Sequence, residues 1–366
     1  MLKMFKKLAS TAFGYVYTQI LPRLKPAPPL ETSHVTGAPT IAIICDAMTW
    51  QGLKQENSLV AVSPGNWQDA FKAGIDFFLC ESAWSGATNA AWRGQIYRDK
   101  RVLYENRRAL LNILAYCNHH QIPTVFWAKE DPTYFQHHIY DFTDTALKFD
   151  YILTTAVECI PKYKALGHDN VHLWTFGFSP ELYHPPKMDT PRENVAVFAG
   201  GWYKEHIGRC QDLTAIFDAV LSAGIKLRIY DRYKVAGASA RPFPAKYQPY
   251  VQNAVPYGAL GDIYRHATYA INVNTVSDSG TMFARRVYEA MACGCIVISN
   301  RSPGMEAQFG DSVWYVDTDK HFDFSQIDFS QLENIRTKNI DAVFLSHTWA
   351  QRMQQLQKIL TDGSGI

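Results

Sequence analysis

The run SDSGTMFARRVYEAMACGCIVISN, residues 277–300, passes from a polar turn through helical spacing into a short apolar strand. Val287, Ala290 and Met291 supply a packing face, and Gly294 stands where a helix should stop, because glycine accepts the left-handed geometry just past a helix end. The spacing predicts a helix that opens near Thr281, with Ser279 or Ser277 as its cap, and closes at Gly294. Thr281, Arg285 and Glu289 then share a face, while Arg286 points about 100° away. An exposed Arg285–Glu289 ion pair would contribute only ~0.3–0.5 kcal/mol and would give Arg286 no role. Two arginines in the first turns suit an anion site better. Free N–H groups and the dipole favour negative charge there, and guanidiniums add paired donors for a diphosphate. Glu289, further along, is placed to accept hydrogen bonds from sugar hydroxyls.

Outward from this run the chain alternates short apolar strands with longer amphipathic stretches. TIAIIC (40–45), IDFFLC (75–80), PTVFWA (123–128), FDYILTT (149–155) and VHLWTF (171–176) read as strands, with a helix over 100–120 among the segments between them. A stretch with four prolines, 179–192, breaks the pattern and reads as a hinge. NVAVFAGG (194–201), IKLRIYDR (225–232), ATYAINVN (267–274), CIVISN (295–300) and DSVWYV (311–316) then resume it. A last helix over 346–360 has Ser346 as its expected cap. Strands apolar on both faces, alternating with helices, indicate parallel sheets covered on both sides. The expectation is two Rossmann-like α/β domains facing across a cleft, over 39–180 and 192–345, with 346–366 packing back as a C-terminal helix and tail. Ligands of such sheets bind at the carboxyl ends of the strands.

The net charge is +2, and the first 30 residues hold five basic residues and no acid, so the remainder is near −3. That balance supplies no broad basic field for nucleic acid. Within 1–30, Leu2, Phe5, Ala9, Ala12, Val16 and Ile20 recur at helical spacing, with Lys3, Lys6 and Lys7 largely off that stripe, and a proline-rich linker follows. Two readings fit: a helix lying on an anionic membrane face, or one packed on the protein. The segment matches neither a signal peptide nor a spanning helix. The seven cysteines lack disulfide or zinc spacing, which fits a reducing, cytoplasmic setting, peripheral to the inner membrane face if the first reading holds.

Candidate donor residues converge at the carboxyl edge of the second sheet. Gly200 and Gly201 end one strand and let a phosphate approach the backbone. Asp231 and Arg232 end another and are candidates for the base or ribose; Asn272 and Asn274 end a third. In the first domain, Asp46, Glu81, Glu130 and Asp131 follow apolar strands and are candidates for the general base that takes an acceptor proton. Residues 49–56 read as an acceptor loop. Trp84, Trp92 and Trp127 are candidate sugar-stacking rings. No metal-ligand set stands out, and the histidine pairs at 119–120 and 137–138 read as structural.

These motifs, with VFWAKEDPTYF (125–135) and the long run 149–186, resemble a GT-B glycosyltransferase, nearest the CgeB-like branch of the group 1 type, over roughly 40–360. The resemblance implies a Leloir enzyme with a nucleotide-sugar donor, UDP-sugar favoured, bound by the second domain. It requires no cofactor, and magnesium is not indicated. It implies an acceptor hydroxyl on a cell-surface glycan, a lipid-linked intermediate or a protein. Residue by residue, it places Glu289 at the donor ribose, Arg285 and Arg286 at the phosphates, and Gly200–Gly201 in the glycine loop. The chain departs from the pattern at Met282, where the larger family carries a second glutamate near the transferred sugar. A polyol-phosphate transferase, a sugar-nucleotide epimerase and a non-catalytic glycan-binding protein are the alternatives on the same fold.

Overall fold

The computed structural model describes residues 29–187, 190–318 and 329–363, together with Val16. The basic amphipathic segment expected over 1–30 therefore lies almost wholly outside the described residues. The chain divides into two compact units, residues 1–175 with 353–366, and residues 176–352. The first unit thus takes in most of the C-terminal stretch that the sequence reading set apart. No helix among the described residues is long and apolar enough to cross a membrane.

The first unit is built on seven strands: β1 (Glu31–Ser33), β2 (Thr40–Ile44), β3 (Ser58–Ala61), β4 (Phe77–Glu81), β5 (Thr124–Ala128), β6 (Tyr151–Thr154) and β7 (Val171–Leu173). Their order is β1-β3-β2-β4-β5-β6-β7. All neighbours are parallel except β1, which runs antiparallel to β3 at the edge. Every residue of β4 and β5 is buried, as strands covered on both faces require. Helix α1 (Ala47–Leu53) occupies most of the stretch read as an acceptor loop, and Trp50 and Leu53 are buried there. Helix α2 (Arg108–His119) is shorter than expected. Just before it, the Asn106 amide donates to the carbonyls of Gly94 and Tyr97, and buried Arg107 pairs with Glu105 and Asp144. Those partners hold the chain in a non-helical path.

The second unit has six parallel strands: β8 (Glu193–Gly200), β9 (Lys226–Asp231), β10 (Val251–Gln252), β11 (Ala267–Ile271), β12 (Ile296–Ser299) and β13 (Val313–Tyr315), in the order β10-β9-β8-β11-β12-β13. Side chains alternate between two cores. Ala196, Phe198, Tyr269, Ile271, Ile296 and Ile298 face one, with Leu213, Ile216, Phe217 and Val220 of α3 (Ile207–Ser222). Val195, Val197, Ala270, Cys295 and Val297 face the other, with Val287, Ala290 and Met291. The period of two along each strand therefore produces a three-layer unit.

The run that opened the sequence reading needs a correction. Its helix, α4 (Arg286–Ala292), starts five residues later than predicted and has only seven residues. The Ser279 hydroxyl does accept from backbone amides, those of Thr281 and Met282, but it closes a turn instead of opening the helix. Asn274 Oδ1 accepts from Ala284 N at 3.2 Å. Side chains that satisfy backbone amides in this way compete with helix formation. The helix stops where expected: Gly294 has φ +78°, and Arg192 donates to the Cys293 carbonyl at 2.5 Å. At the other end of the unit, α5 (Leu332–Ser346) terminates at the residue predicted as a cap. Thr348 opens α6 (Trp349–Gly363) instead, through a capping box: Gln351 N donates to its hydroxyl, and its own N–H donates to Gln351 Oε1 at 2.8 Å.

A side chain at Gly294 would be strained by its left-handed backbone, and its Cβ would lie 2.6 Å from Arg192 Nη2. Gly294→Ala is expected to lower unfolding stability by about 1–3 kcal/mol, measured by urea denaturation. An unchanged midpoint would contradict the C-cap reading.

Candidate donor and acid–base sites

In the second unit the parallel register brings Gly200 beside Asp231 at the carboxyl edge, and Arg232 N donates to the Gly200 carbonyl at 3.1 Å. Asn272 follows β11 at the same edge. Its amide oxygen accepts from Arg286 Nη1 at 3.2 Å. The Arg286 guanidinium lies over the Phe198 ring, 5.1 Å from its centroid, and a Cβ on Gly200 would approach Phe198 at 2.7 Å and Arg286 Nη2 at 3.3 Å. A Cβ on Gly201 would meet the Tyr233 ring at 2.6 Å. Both glycines are thus required by close packing of an arginine and aromatic rings on the loop.

Arg209 completes the group. It occupies the buried stripe of α3, in line with Leu213, Ile216, Phe217 and Val220, at the end nearest the glycine loop. Its Nη1 donates to the Gly201 carbonyl at 3.1 Å, and its guanidinium lies 4.6 Å from the centroid of Tyr203. Arg232 Nη1 donates to the Tyr203 hydroxyl at 3.3 Å. Among the described residues, neither Arg209 nor Arg286 makes an ion pair with a carboxylate. Burial and the nearby Arg286 bring Arg209 down to about 10; burial and Arg232 also lower Arg286. Arg209 therefore stays charged at neutral pH, and three guanidiniums gather at the glycine loop. That is the chemistry of a polyanion site. The sequence reading passed over Arg209. Its signal was an arginine on the apolar stripe of the helix that follows Gly200–Gly201.

The other donor candidates are placed differently. Asp231 is fully buried, and its oxygens accept from Tyr233 N at 2.9 Å and the Ser239 hydroxyl at 2.6 Å, so it organises its own turn. Buried Asn274 bonds Ala284 and Asn300 and shapes the chain ahead of α4. Thr281 lies in the turn closed by Ser279. Arg285 does pair with Glu289, but the pair is largely buried, unlike the surface pair considered from sequence: Nε stands 2.8 Å from Oε1, with the side chains 11% and 4% exposed.

In the first unit β2, β4 and β5 are adjacent and parallel, so their carboxyl ends bring Asp46, Glu81, Lys129 and Glu130 together. Asp46 accepts from Trp84 N, Ser85 N and Gly86 N at 2.9–3.0 Å and from Lys129 Nζ at 3.0 Å. Burial alone would raise its pKa, but Lys129 and these amides hold it below the usual range. Glu81 is 1% exposed and pairs with the same ammonium; burial raises it against the pull of Lys129. Glu130, whose side chain is 25% exposed, is raised by burial, opposed by Lys129 and by a hydrogen bond to the Trp84 side chain. Asp131 is separate. It accepts from the Thr154 hydroxyl at 2.7 Å, and burial pushes it up to about 7. Trp92 and Trp127 are buried in the core, which leaves only Trp84 of the three tryptophans part-exposed, among Tyr97, Tyr134, Tyr140 and Phe142. Among the described residues no group of three His, Cys, Asp or Glu side chains is arranged to hold a metal ion.

Removing the ammonium would leave buried Glu81 and part-buried Asp46 without the cation they share. Lys129→Met is expected to cost about 3–5 kcal/mol of stability at pH 7. Glu81 is raised in the folded state, so the folded variant binds a proton that the unfolded chain has released. Its stability should therefore recover as pH falls from 8 toward 5. Denaturant titrations at several pH values check this, and a pH-independent loss would contradict it.

A family model described as "Glycosyl transferase-like" matches residues 215–358, less than half of the chain. No curated protein matches the chain by sequence. Among solved structures, an α-glucosyltransferase in complex with UDP and a 13-mer DNA containing a central A:G mismatch aligns with TM-score 0.55 at 10% identity, covering 89% of this chain and 100% of that one. The DNA-modifying β-glucosyltransferase, solved in the presence and absence of uridine diphosphoglucose, aligns with TM-score 0.50 at 11% identity over 88% and 99%. A structure of the GtfA/B complex aligns with TM-score 0.44 at 11% identity over 84% of this chain, which spans only 61% of the length of that one. The fold of this chain, with its two largely parallel α/β sheets, is that of the GT-B glycosyltransferases.

Proposed function

We propose that the chain is a Leloir glycosyltransferase that moves a sugar from a nucleoside diphosphate sugar, UDP-sugar favoured, to a hydroxyl of a glycan, a lipid-linked intermediate or a protein. The observation that carries this reading is the gathering of Arg209, Arg232 and Arg286 at Gly200–Gly201, in a unit whose part from residue 215 onward a glycosyl transferase-like model matches, on a GT-B fold. The finer placement in the CgeB-like branch rests on the motif run 281–299. The two DNA-linked neighbours do not carry a DNA acceptor to this chain, whose net charge of +2 offers no broad basic field.

In this reading the diphosphate lies on the glycine loop, and the guanidiniums stabilise the charge that develops as the sugar–phosphate bond breaks. Three guanidiniums, one buried, one part-buried and one exposed, supply locally what a bound metal would otherwise provide. The expected helix-dipole contribution is not part of this account, because α4 is too short and begins too late. Glu130 is the fitting general base for an inverting transfer. Burial raises its pKa toward the working range, and its side chain is the most exposed of the cluster. Asp46 already accepts four hydrogen bonds and serves the reaction better as the anchor of the 84–86 loop.

The test is thermal unfolding of the intact protein with UDP, GDP, CDP and dTDP. One diphosphate at 100 times its Kd should add about 2.7 kcal/mol, and its monophosphate much less. Arg209→Ala and Arg286→Ala should each weaken that diphosphate by roughly tenfold or more in calorimetric titration. If no diphosphate stabilises the wild type, the reading fails. With a working acceptor, Glu130→Gln should lower kcat by ~100-fold or more with little change in donor binding.

A further inference from the structure

Past the carboxyl ends of β11 and β12, which lie side by side, a buried polar network leads to Arg286. Asn272, Asn274, Ser299, Asn300 and Met305 are each 4% exposed or less. At the centre of the network stands a thioether. Met305 lies in the helix Pro303–Phe309, and its Sδ accepts from the Asn274 amide nitrogen at 3.1 Å. The Asn272 amide nitrogen and the Ser299 hydroxyl face the same sulfur at 3.7 Å. Among the described residues, that sulfur is the one acceptor of the Asn274 NH2 group. Packing alone does not call for this, because a leucine would fill similar volume.

The arrangement settles a choice of direction. An asparagine amide has a donor end and an acceptor end of nearly the same shape, and its neighbours decide which end goes where. A thioether can only accept. Both NH2 groups must therefore turn toward the sulfur, and each Oδ1 is turned away to a donor. Asn272 Oδ1 meets Arg286 Nη1 at 3.2 Å, and Asn274 Oδ1 meets Ala284 N at 3.2 Å and the Asn272 NH2 at 3.0 Å. The opposite orientation of Asn272 would set its NH2 against the guanidinium, donor against donor. At the far end, Asn300 donates to Asp212 Oδ2 at 2.8 Å, which leaves its own Oδ1 to accept from Asn274 N at 2.8 Å.

We propose that Met305 is a positioning residue for the diphosphate site: its sulfur, acting as an acceptor, holds the Asn272–Asn274 pair so that Asn272 Oδ1 fixes the Arg286 guanidinium at Gly200–Gly201. This rests on the reading of Arg286 as a phosphate ligand. A neutral acceptor suits the place, because it orients the amides without opposing the charge that a diphosphate would meet.

The experiment is calorimetric titration of the full chain with inorganic pyrophosphate and with UDP, or with whichever diphosphate stabilises it best. Wild type, Met305→Leu and Met305→Gln are compared, with urea denaturation to confirm folding. Leucine keeps the bulk and removes the acceptor; glutamine returns an acceptor oxygen on a chain of similar length. Met305→Leu should weaken pyrophosphate and UDP together by ~5–10-fold, about the worth of one hydrogen bond. Met305→Gln should bind both within about threefold of wild type. A packing role gives the reverse order, with leucine like wild type and glutamine the weaker. That order, equal losses in both variants, or a loss confined to UDP would overturn the proposal. If Met305→Gln does not fold, Asn272→Ala serves in its place. In that background Met305→Leu should add less than about twofold, since it acts through Asn272, and an additive loss overturns the proposal. A wild type that binds neither pyrophosphate nor any nucleoside diphosphate defeats the donor-site reading beneath it.

Discussion

Like charges held together are the constraint on which the second unit turns. Arg209 is buried and Arg286 part-buried, each shifted down by burial and by a neighbouring guanidinium, with no carboxylate paired to either among the described residues. Burial of unpaired charge is costly, and mutual repulsion adds to it. The fold supports the arrangement with rings and carbonyls. Phe198 underlies Arg286, Tyr203 underlies Arg209, and the Gly201 carbonyl and the Asn272 amide oxygen accept from them. Each partner is neutral, so the positive potential survives for a ligand. Gly200 and Gly201 belong to the same device, because a Cβ on Gly200 would run into Phe198 and crowd Arg286, and one on Gly201 would run into Tyr233.

The first unit solves the opposite problem. Lys129 sits among Asp46, Glu81 and Glu130, one ammonium facing three carboxylates, and backbone amides satisfy the oxygens of Asp46. Glu81 and Asp46 are committed to structure, one by full burial and the other by its four donors. Glu130, raised and partly exposed beside Trp84, retains the freedom to exchange a proton. Equivalent positions at the ends of neighbouring strands thus acquire different roles from their surroundings.

Much of this was legible in the sequence. Apolar runs marked ten of the thirteen strands of the two large sheets, because a strand buried on both faces must be continuously apolar. Gly294 marked a helix end because few other residues adopt φ +78°. What stayed hidden depends on partners distant in sequence. The late start of α4 follows from the Asn274 amide oxygen capturing an N–H ten residues away. Asp231 looked like a ligand contact because it is charged at a strand end, yet Ser239 and Tyr233 use it. Arg209 was obscured because an arginine on a helix is ordinary until the helix is packed and its buried stripe is known. Strands β1 and β10, of three and two residues, are too short for any periodicity to register.

The most direct measurement is a crystal structure of the intact chain with UDP, or with the diphosphate that stabilises it best. The account predicts the two phosphates on the Gly200–Gly201 loop, within hydrogen-bond distance of the guanidiniums of Arg209 and Arg286. A diphosphate bound away from that loop, or bound there with both arginines turned aside, would contradict it.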